Sequence, residues 1–253
     1  DIMEKFRWLL VVFIGCFVLS ATGAAASYET SPVQDIPGQR PMVIIADTFQ
    51  FIPGTWADYT IFDKEKNETF RFYFAVLEKQ MVKGTPCWWI EIEVEAVDTP
   101  VVVTRILAEE TKNGPGELKK AIIQVAGFSP FSVPSSFLRG EDAEVGQIQQ
   151  AHIIRRFEER TITHKGKTVN AYIAEVEDDE GRKMSATVRL ELPPIALYSC
   201  EDETIRMTIN DWGSEAGSKV EGLPIPFFLW IVEQVAAGTD DSNPKKVIKK
   251  NPF

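Results

Sequence analysis

Cys87–Ala96, with the sequence CWWIEIEVEA, is the stretch that decides the fold of this 253-residue chain. Side chains alternate between the two faces of an extended strand, so one face carries Trp88, Ile90, Ile92 and Val94, and the other Trp89, Glu91, Glu93 and Glu95. One apolar and one polar face is typical of antiparallel sheets, because strands of parallel sheets are buried on both faces. We therefore expect an antiparallel strand whose glutamates face water.

The same pattern recurs along the chain. Residues 69–77 alternate with Phe70, Phe72, Phe74 and Val76 on one face. Further strand candidates, separated by short turns, are residues 101–109, 118–125, 153–164, 168–177, 185–192, 196–200 and 204–210. This pattern predicts a mainly β protein, in which one large, curved antiparallel sheet forms a half-open barrel with one or two short helices.

The composition excludes several classes of protein. The chain is 44% hydrophobic and 25% charged, which excludes wholesale disorder and a multi-span membrane protein. A net charge of −10 opposes binding to phosphate backbones, so no nucleic-acid partner is expected. Two histidines, His152 and His164, and three cysteines are too few to favour a metal site. The sequence carries no recognised catalytic or phosphate-binding motif, which predicts a non-enzyme without cofactors.

The N-terminal segment predicts export. Basic residues near the start precede an uncharged run, Trp8–Leu19 (WLLVVFIGCFVL), and small residues follow up to Ala26. This order is typical of a signal peptide over residues 1–26, with cleavage before Ser27. A retained membrane anchor is the alternative, because residues 8–26 are uncharged and about 28 Å long as a helix. Both interpretations place the protein in the periplasm or on the extracytoplasmic side of a membrane.

The chain after residue 26 reads as a polar tether followed by one domain. Residues 27–41 contain two prolines and predict a polar tether. Residues 42–222 hold the strand candidates, and neither half of this stretch has a second apolar layer of its own, which predicts a single domain. Cys87 and Cys200 remain after cleavage and either form a disulfide or stay free and buried.

Four short segments resemble motifs of one family. Pro53–Tyr59 (PGTWADY) resembles the PG-x-W-x-x-Y opening of exported bacterial proteins that are similar to the outer-membrane lipoprotein carriers, and Trp88–Ile92 (WWIEI) resembles their YWxEI strand. Leu192–Leu197 (LPPIAL) resembles VPPLGIV, and Asn210–Gly213 (NDWG) resembles their late x-D-Y/W-G segment. The resemblance implies an uncharacterised branch with the lipoprotein-carrier fold, a half-barrel around an apolar groove.

Such a groove is suited to an acyl chain, because a lipid tail gains ~0.8 kcal/mol per buried methylene. The residues predicted to line it are Phe70, Phe72, Phe74, Trp88, Ile90, Ile92, Met207 and Ile209. The alternative is that they fill a closed core, because alternation shows which face is buried but not what buries it. Residues 164–171 (HKGKTVNA) depart from the PAGTFxC segment of many of these proteins, so lipoprotein carriage is one role among several.

The C-terminal residues 223–253 form an apolar helix and a basic tail. Prolines precede Phe227–Gly238 (FFLWIVEQVAAG), and the glycine ends it, which predicts a helix of about twelve residues, too short to span a bilayer. Three roles are open for this helix: a lid on the barrel, an interfacial membrane helix or a docking element for a partner protein. The residues predicted to contact a partner or a membrane are Phe227, Phe228, Trp230 and Ile231. The tail, Lys245–Lys250 (KKVIKK), is either solvated or contacts anionic lipid or an acidic partner.

Two functions follow from these observations. The first is an exported periplasmic binding or carrier-like protein that holds an apolar ligand, such as a lipid or a lipidated protein. The second is a non-catalytic structural accessory subunit of a membrane-associated complex, with a filled core.

Overall fold

The computed structural model describes residues 42–45, 48–97, 99–135, 138, 148–178 and 181–238. The chain divides into two compact units. One unit is Pro41–Trp230, and the other consists of Asp1–Arg40 and Ile231–Phe253. The predicted signal peptide, the tether and the lysine-rich tail lie outside the described residues and stay predictions.

In the described part of the unit Pro41–Trp230, thirteen strands form one sheet. They are β1 (Met42–Ile45), β2 (Trp56–Asp63), β3 (Glu68–Val82), β4 (Thr85–Ala96), β5 (Val102–Thr111), β6 (Gly114–Val125), β7 (Phe131–Ser132), β8 (Ile148–His164), β9 (Lys167–Asp178), β10 (Lys183–Val188), β11 (Leu197–Glu201), β12 (Ile205–Gly213) and β13 (Ile225–Pro226).

The strand order is β1-β8-β9-β10-β11-β12-β2-β3-β4-β5-β6-β7-β13. Only the two end pairs, β1 with β8 and β7 with β13, are parallel among the described strands. Within the described part of the chain no pairing joins β1 to β13, so the sheet is open. The prediction of a mainly β protein with one large, mostly antiparallel, unclosed sheet is confirmed.

One helix, α1 (Phe227–Gly238), is present among the described residues. It begins directly after Pro226 and ends at the predicted glycine. The bounds predicted from the proline and glycine positions are therefore confirmed.

The main core lies on one face of the sheet. Its largest fully buried side chains include Tyr59, Phe74, Ile90, Ile106 and Val188, so strands from both halves of the chain contribute. Trp88 and Ile90 lie in this core, and Ile92 packs against it. This register confirms the face predicted for the alternating strand at residues 87–96.

The opposite face is also buried around the middle of β4, contrary to the prediction that its glutamates face water. Glu91 is 0% exposed, and Trp89 belongs to a second apolar cluster on that face. The reason is the segment 214–222, here called the strap, which follows β12. Its residues Ser218 and Lys219 bond to Glu91 and cover the face.

The PGTWADY and NDWG motifs, which resemble segments of the lipoprotein-carrier-like proteins, come together where the strap begins. Gly54 has a φ of 79° and its carbonyl accepts a hydrogen bond from the Ala216 amide at 2.7 Å. Gly213 lies opposite Trp56 in the register, and a Cβ at Gly213 would come within 2.7 Å of the indole nitrogen. The glycines of PGTW and NDWG therefore allow a close backbone approach that a larger residue prevents.

The two cysteines of the β domain are free. Cys87 lies in the cluster under the strap, and Cys200 lies in the main core on the other face. The disulfide alternative is therefore wrong, and the alternative of free buried thiols is confirmed. Burial raises the pKa of Cys200 to about 12, which keeps this thiol protonated and unreactive.

Candidate functional site

The residues predicted to line an apolar groove lie together on the core face but are packed. Six of them, Phe72, Phe74, Trp88, Ile90, Met207 and Ile209, are buried members of the main core. Ile92 and Phe70 are partly exposed. The sequence therefore places these side chains on one face correctly, and the structure surrounds most of them with protein.

A loop before β2 supplies part of that cover. The Phe49 ring meets Phe74 edge to face at 5.9 Å between centroids, and the Phe51 ring stacks on Trp88 at 5.6 Å. The loop is held in place because the backbone amide of Gln50 donates a hydrogen bond to the Pro194 carbonyl at 2.8 Å. The segment resembling VPPLGIV thus positions the two rings that cover the predicted lining.

A cavity lies elsewhere in the β domain. It is a shallow, open depression of ≈ 560 Å³ lined by Phe157, Glu158 and Ile173, on β8 and β9. None of the predicted lining residues borders it.

The two histidines do not lie together at a site. His164 packs against the Trp212 ring at 4.7 Å, and its Nδ1 lies 3.3 Å from the Tyr198 hydroxyl. His152 is exposed on β8. Among the described residues, no group of three or more His, Cys, Asp or Glu side chains is placed to hold a metal ion.

Charged groups under the strap are paired with one another. The Lys219 ammonium donates to Glu93 at 2.9 Å and lies 3.5 Å from the centre of the Tyr73 ring. Arg105 lies over the Trp89 ring and donates to Glu78. Burial, with Glu91 and Glu93 nearby, raises the pKa of Tyr73 to about 12. This arrangement holds the strap in place.

The strap leads into an exposed apolar segment, defined here as residues 223–232. Its exposed members are Leu223 (88%), Phe228 (71%), Leu229 (48%) and Val232 (48%). Large apolar side chains that lie together on a surface mark an interaction site more often than single ones do.

The first part of the segment is fixed to the sheet. Trp230 is 5% exposed, and its ring lies 4.5 Å from the Phe131 ring. Phe227 contacts the same ring at 5.5 Å, and the Ile225 amide donates to the Pro130 carbonyl at 2.9 Å. Of the four predicted contact residues, Trp230 is thus an anchor, Phe228 is exposed, and Phe227 and Ile231 are partly exposed.

The sequence prediction missed Leu223, Leu229 and Val232. Phe228 and Val232 are two residues before and after Trp230, which places both about 160° around the helix from it. Helical phase would have identified Val232 as exposed once Trp230 was known to point inwards. The twelve-residue helix is too short to cross a bilayer, and the described residues include no helix that is long and apolar enough to do so.

Comparison with solved structures finds a likeness of low similarity. The chain is similar to a β-barrel-like protein with a domain of unknown function, DUF1849, from Brucella abortus, with a TM-score of 0.30 and 12% identity. The match covers 64% of this chain and 98% of that chain. No family model and no curated protein matches the chain. At this similarity the likeness carries no argument about function, and membership of the lipoprotein-carrier branch stays a prediction.

Proposed function

We propose that this chain is an exported, non-catalytic binding protein that docks on an anionic membrane surface through its apolar segment, residues 223–232. The observation that carries the proposal is that Phe228, Leu229 and Val232 are exposed while Trp230 of the same helix is buried. A fixed helix that presents large apolar side chains to water loses free energy unless another apolar phase covers them.

A membrane surface fits this segment in length and in charge. An interfacial helix needs to bury only one apolar face in the boundary between headgroups and acyl chains. The sequence after the helix carries Lys245, Lys246, Lys249 and Lys250, whereas the whole chain has a net charge of −10. Lysines next to an apolar helix add about 1 kcal/mol each at an anionic surface, which is the second signal that stable membrane association requires.

Carriage of an apolar ligand is the second candidate function. It is favoured by one observation: the cover over Phe74 and Trp88 is a loop carrying Phe49 and Phe51, not a strand. A lipid tail that replaces those two rings would contact the residues predicted to line a groove. Native mass spectrometry of the purified chain tests this candidate, which requires a co-purifying lipid that is lost in a Phe74→Arg variant.

Vesicle flotation tests the docking proposal. The chain is exported with its own N-terminal segment, its mature N-terminus is determined by mass spectrometry, and it is mixed with vesicles of phosphatidylcholine with or without phosphatidylglycerol. Burial of a Phe and a Leu contributes about 1.5–3 kcal/mol each, so Phe228→Ser/Leu229→Ser should weaken binding more than about tenfold.

The matched control removes two exposed apolar side chains from another part of the surface. Ile52 and Leu190 are 43% and 48% exposed, and Ile52→Ser/Leu190→Ser should leave flotation unchanged. Equal flotation of wild type and both variants would contradict docking through the apolar segment.

A further inference from the structure

Among the described strands, β8 has a long edge that no neighbouring strand covers. β1 pairs with residues 148–151 of β8 only, and beyond Ala151 no strand in the described ranges pairs with β8 on that side. Residues 153–164 of this edge are about 40 Å long as a strand. Its outward backbone groups form a ready template for pairing with another strand.

The other end of the sheet differs. It terminates in β7 and β13, which are two residues long. Where β6 extends past β7, Lys119 is paired with Glu109 at 3.0 Å and with Glu117 at 2.8 Å. The strands that end the sheet there are therefore short, and Lys119 on the stretch of β6 beyond them already has partners within the chain.

The middle of the β8 edge carries an ordered block of charge, Arg155-Arg156-Phe157-Glu158-Glu159. Arg155 lies over the Phe157 ring at 4.8 Å, and Arg156 lies over the Tyr172 ring of β9 at 4.7 Å. Within the described ranges none of the four charged side chains forms an ion pair. The block is basic before Phe157 and acidic after it, so a copy running in the opposite direction has the complementary order.

The centre of this block is also an apolar surface. Phe157 is 49% exposed and, with Glu158 and Ile173, lines the shallow depression of ≈ 560 Å³. Its position follows from a bulge, because the register of β8 with β9 shifts between Arg156 and Glu159. Bulges and charges on an edge strand oppose pairing with most strands, so an edge of this kind selects its partner.

We propose that the β8 edge binds the β8 edge of a second copy of this chain, in antiparallel orientation about a two-fold axis near Phe157. The arginines of each copy then approach the glutamates of the other, and the two Phe157 side chains meet over the depressions. Such an interface is isologous and closes after two copies. Among the described strands, the far end of each copy then consists of the two-residue β13 and the stretch of β6 beyond β7, both shorter than the β8 edge.

Charge reversal tests the proposal on the full chain. We expect wild type to dimerise in analytical ultracentrifugation in the micromolar range. Arg155→Glu/Arg156→Glu and Glu158→Arg/Glu159→Arg should each weaken self-association more than about tenfold, because like charges then face each other. An equimolar mixture of the two variants should form a heterodimer, because opposite charges face each other again.

A matched control and a measurement without mutation complete the test. Glu68→Arg/Glu203→Arg reverses two exposed glutamates elsewhere and should leave the dimer intact. In wild type, amide hydrogen exchange across residues 153–164 should slow as the protein concentration rises. A monomeric wild type, a dimer that persists in both reversal variants, or a mixture that fails to associate would each overturn the proposal. If wild type is monomeric, association of the β8 edge with another protein becomes the alternative.

Discussion

The carboxylate of Glu91 accepts a hydrogen bond from the Ser218 hydroxyl at 2.7 Å, although 127 residues separate them. The Lys219 amide donates to the other carboxylate oxygen, also at 2.7 Å. A buried carboxylate is tolerated only when such donors satisfy it. This contact fixes the strap to the sheet directly before the apolar segment, and so connects the strand that decides the fold with the surface proposed to bind a membrane.

Loss of this carboxylate should destabilise the protein. Glu91→Ala leaves the Ser218 and Lys219 donors without their acceptor and should lower the free energy of unfolding by about 1.5–3 kcal/mol. Glu95, on the same strand, is exposed and 3.6 Å from Arg71, so Glu95→Ala should cost less than about 1 kcal/mol. Urea denaturation measures both, and equal losses would show that the strap does not depend on Glu91.

The close approach of Gly213 to Trp56 predicts a second difference between matched variants. A methyl group at Gly213 would lie 2.7 to 2.9 Å from indole atoms, whereas nothing lies within 4 Å of a Cβ at Gly217. Gly213→Ala should therefore destabilise by about 1–3 kcal/mol, and Gly217→Ala should be close to neutral. Thermal unfolding of the two variants checks this, and a neutral Gly213→Ala would contradict the close packing of the two motifs.

Truncation of the buried Trp230 and of the exposed Phe228 should change the stability of the protein by different amounts. Trp230→Ala removes the buried indole ring that packs against Phe131 and should cost about 3–5 kcal/mol of stability. Phe228→Ala removes an exposed ring and should change stability by less than about 0.5 kcal/mol. Circular dichroism melts distinguish them. A strong effect of Phe228→Ala would mean that Phe228 is a packed side chain.

The sequence predicts the sheet because alternation is a local property. Trp88 and Ile90 share a face in any extended strand, and the burial of both follows from their apolar side chains. The burial of Glu91 was not predictable in the same way. It depends on the strap, whose contact residues are distant in sequence, and the polar face of an alternating strand does not reveal whether another segment covers it.

The sequence predicted the bounds of α1 but not which of its side chains are exposed, again because a contact between distant residues decides this. Prolines and a glycine bracket α1, so its bounds were predictable from sequence. Which side of the helix faces water depends on the packing of Trp230 against Phe131, a contact between distant parts of the chain. Almost every residue at the start of α1 is apolar, so the sequence alone does not distinguish Phe228 from Trp230.

One ion-pair cluster should make a pH-dependent contribution to stability. Hydrogen bonds from Arg206 and Lys64 lower the pKa of Glu201 from 4.5 to about 2. Because the folded-state pKa is depressed, the contribution is present above pH 4.5 and is lost as the pH falls towards 2. Glu201→Gln should therefore lower the Tm near neutral pH, with a difference from wild type that shrinks on acidification. Glu203→Gln, at an exposed position nearby, is the control, and a difference that grows in acid would contradict the assignment.

The depth of residue 228 in a bilayer tests the docking account most directly. An environment-sensitive fluorophore is attached at Phe228→Cys in a Cys16→Ser background, in which Cys87 and Cys200 are buried. With phosphatidylglycerol vesicles whose acyl chains carry nitroxides, we expect a blue shift and quenching of this label, and neither for a label at Glu203→Cys. A label at position 228 that keeps its emission in water and is not quenched would contradict the central claim that the apolar segment enters a membrane surface.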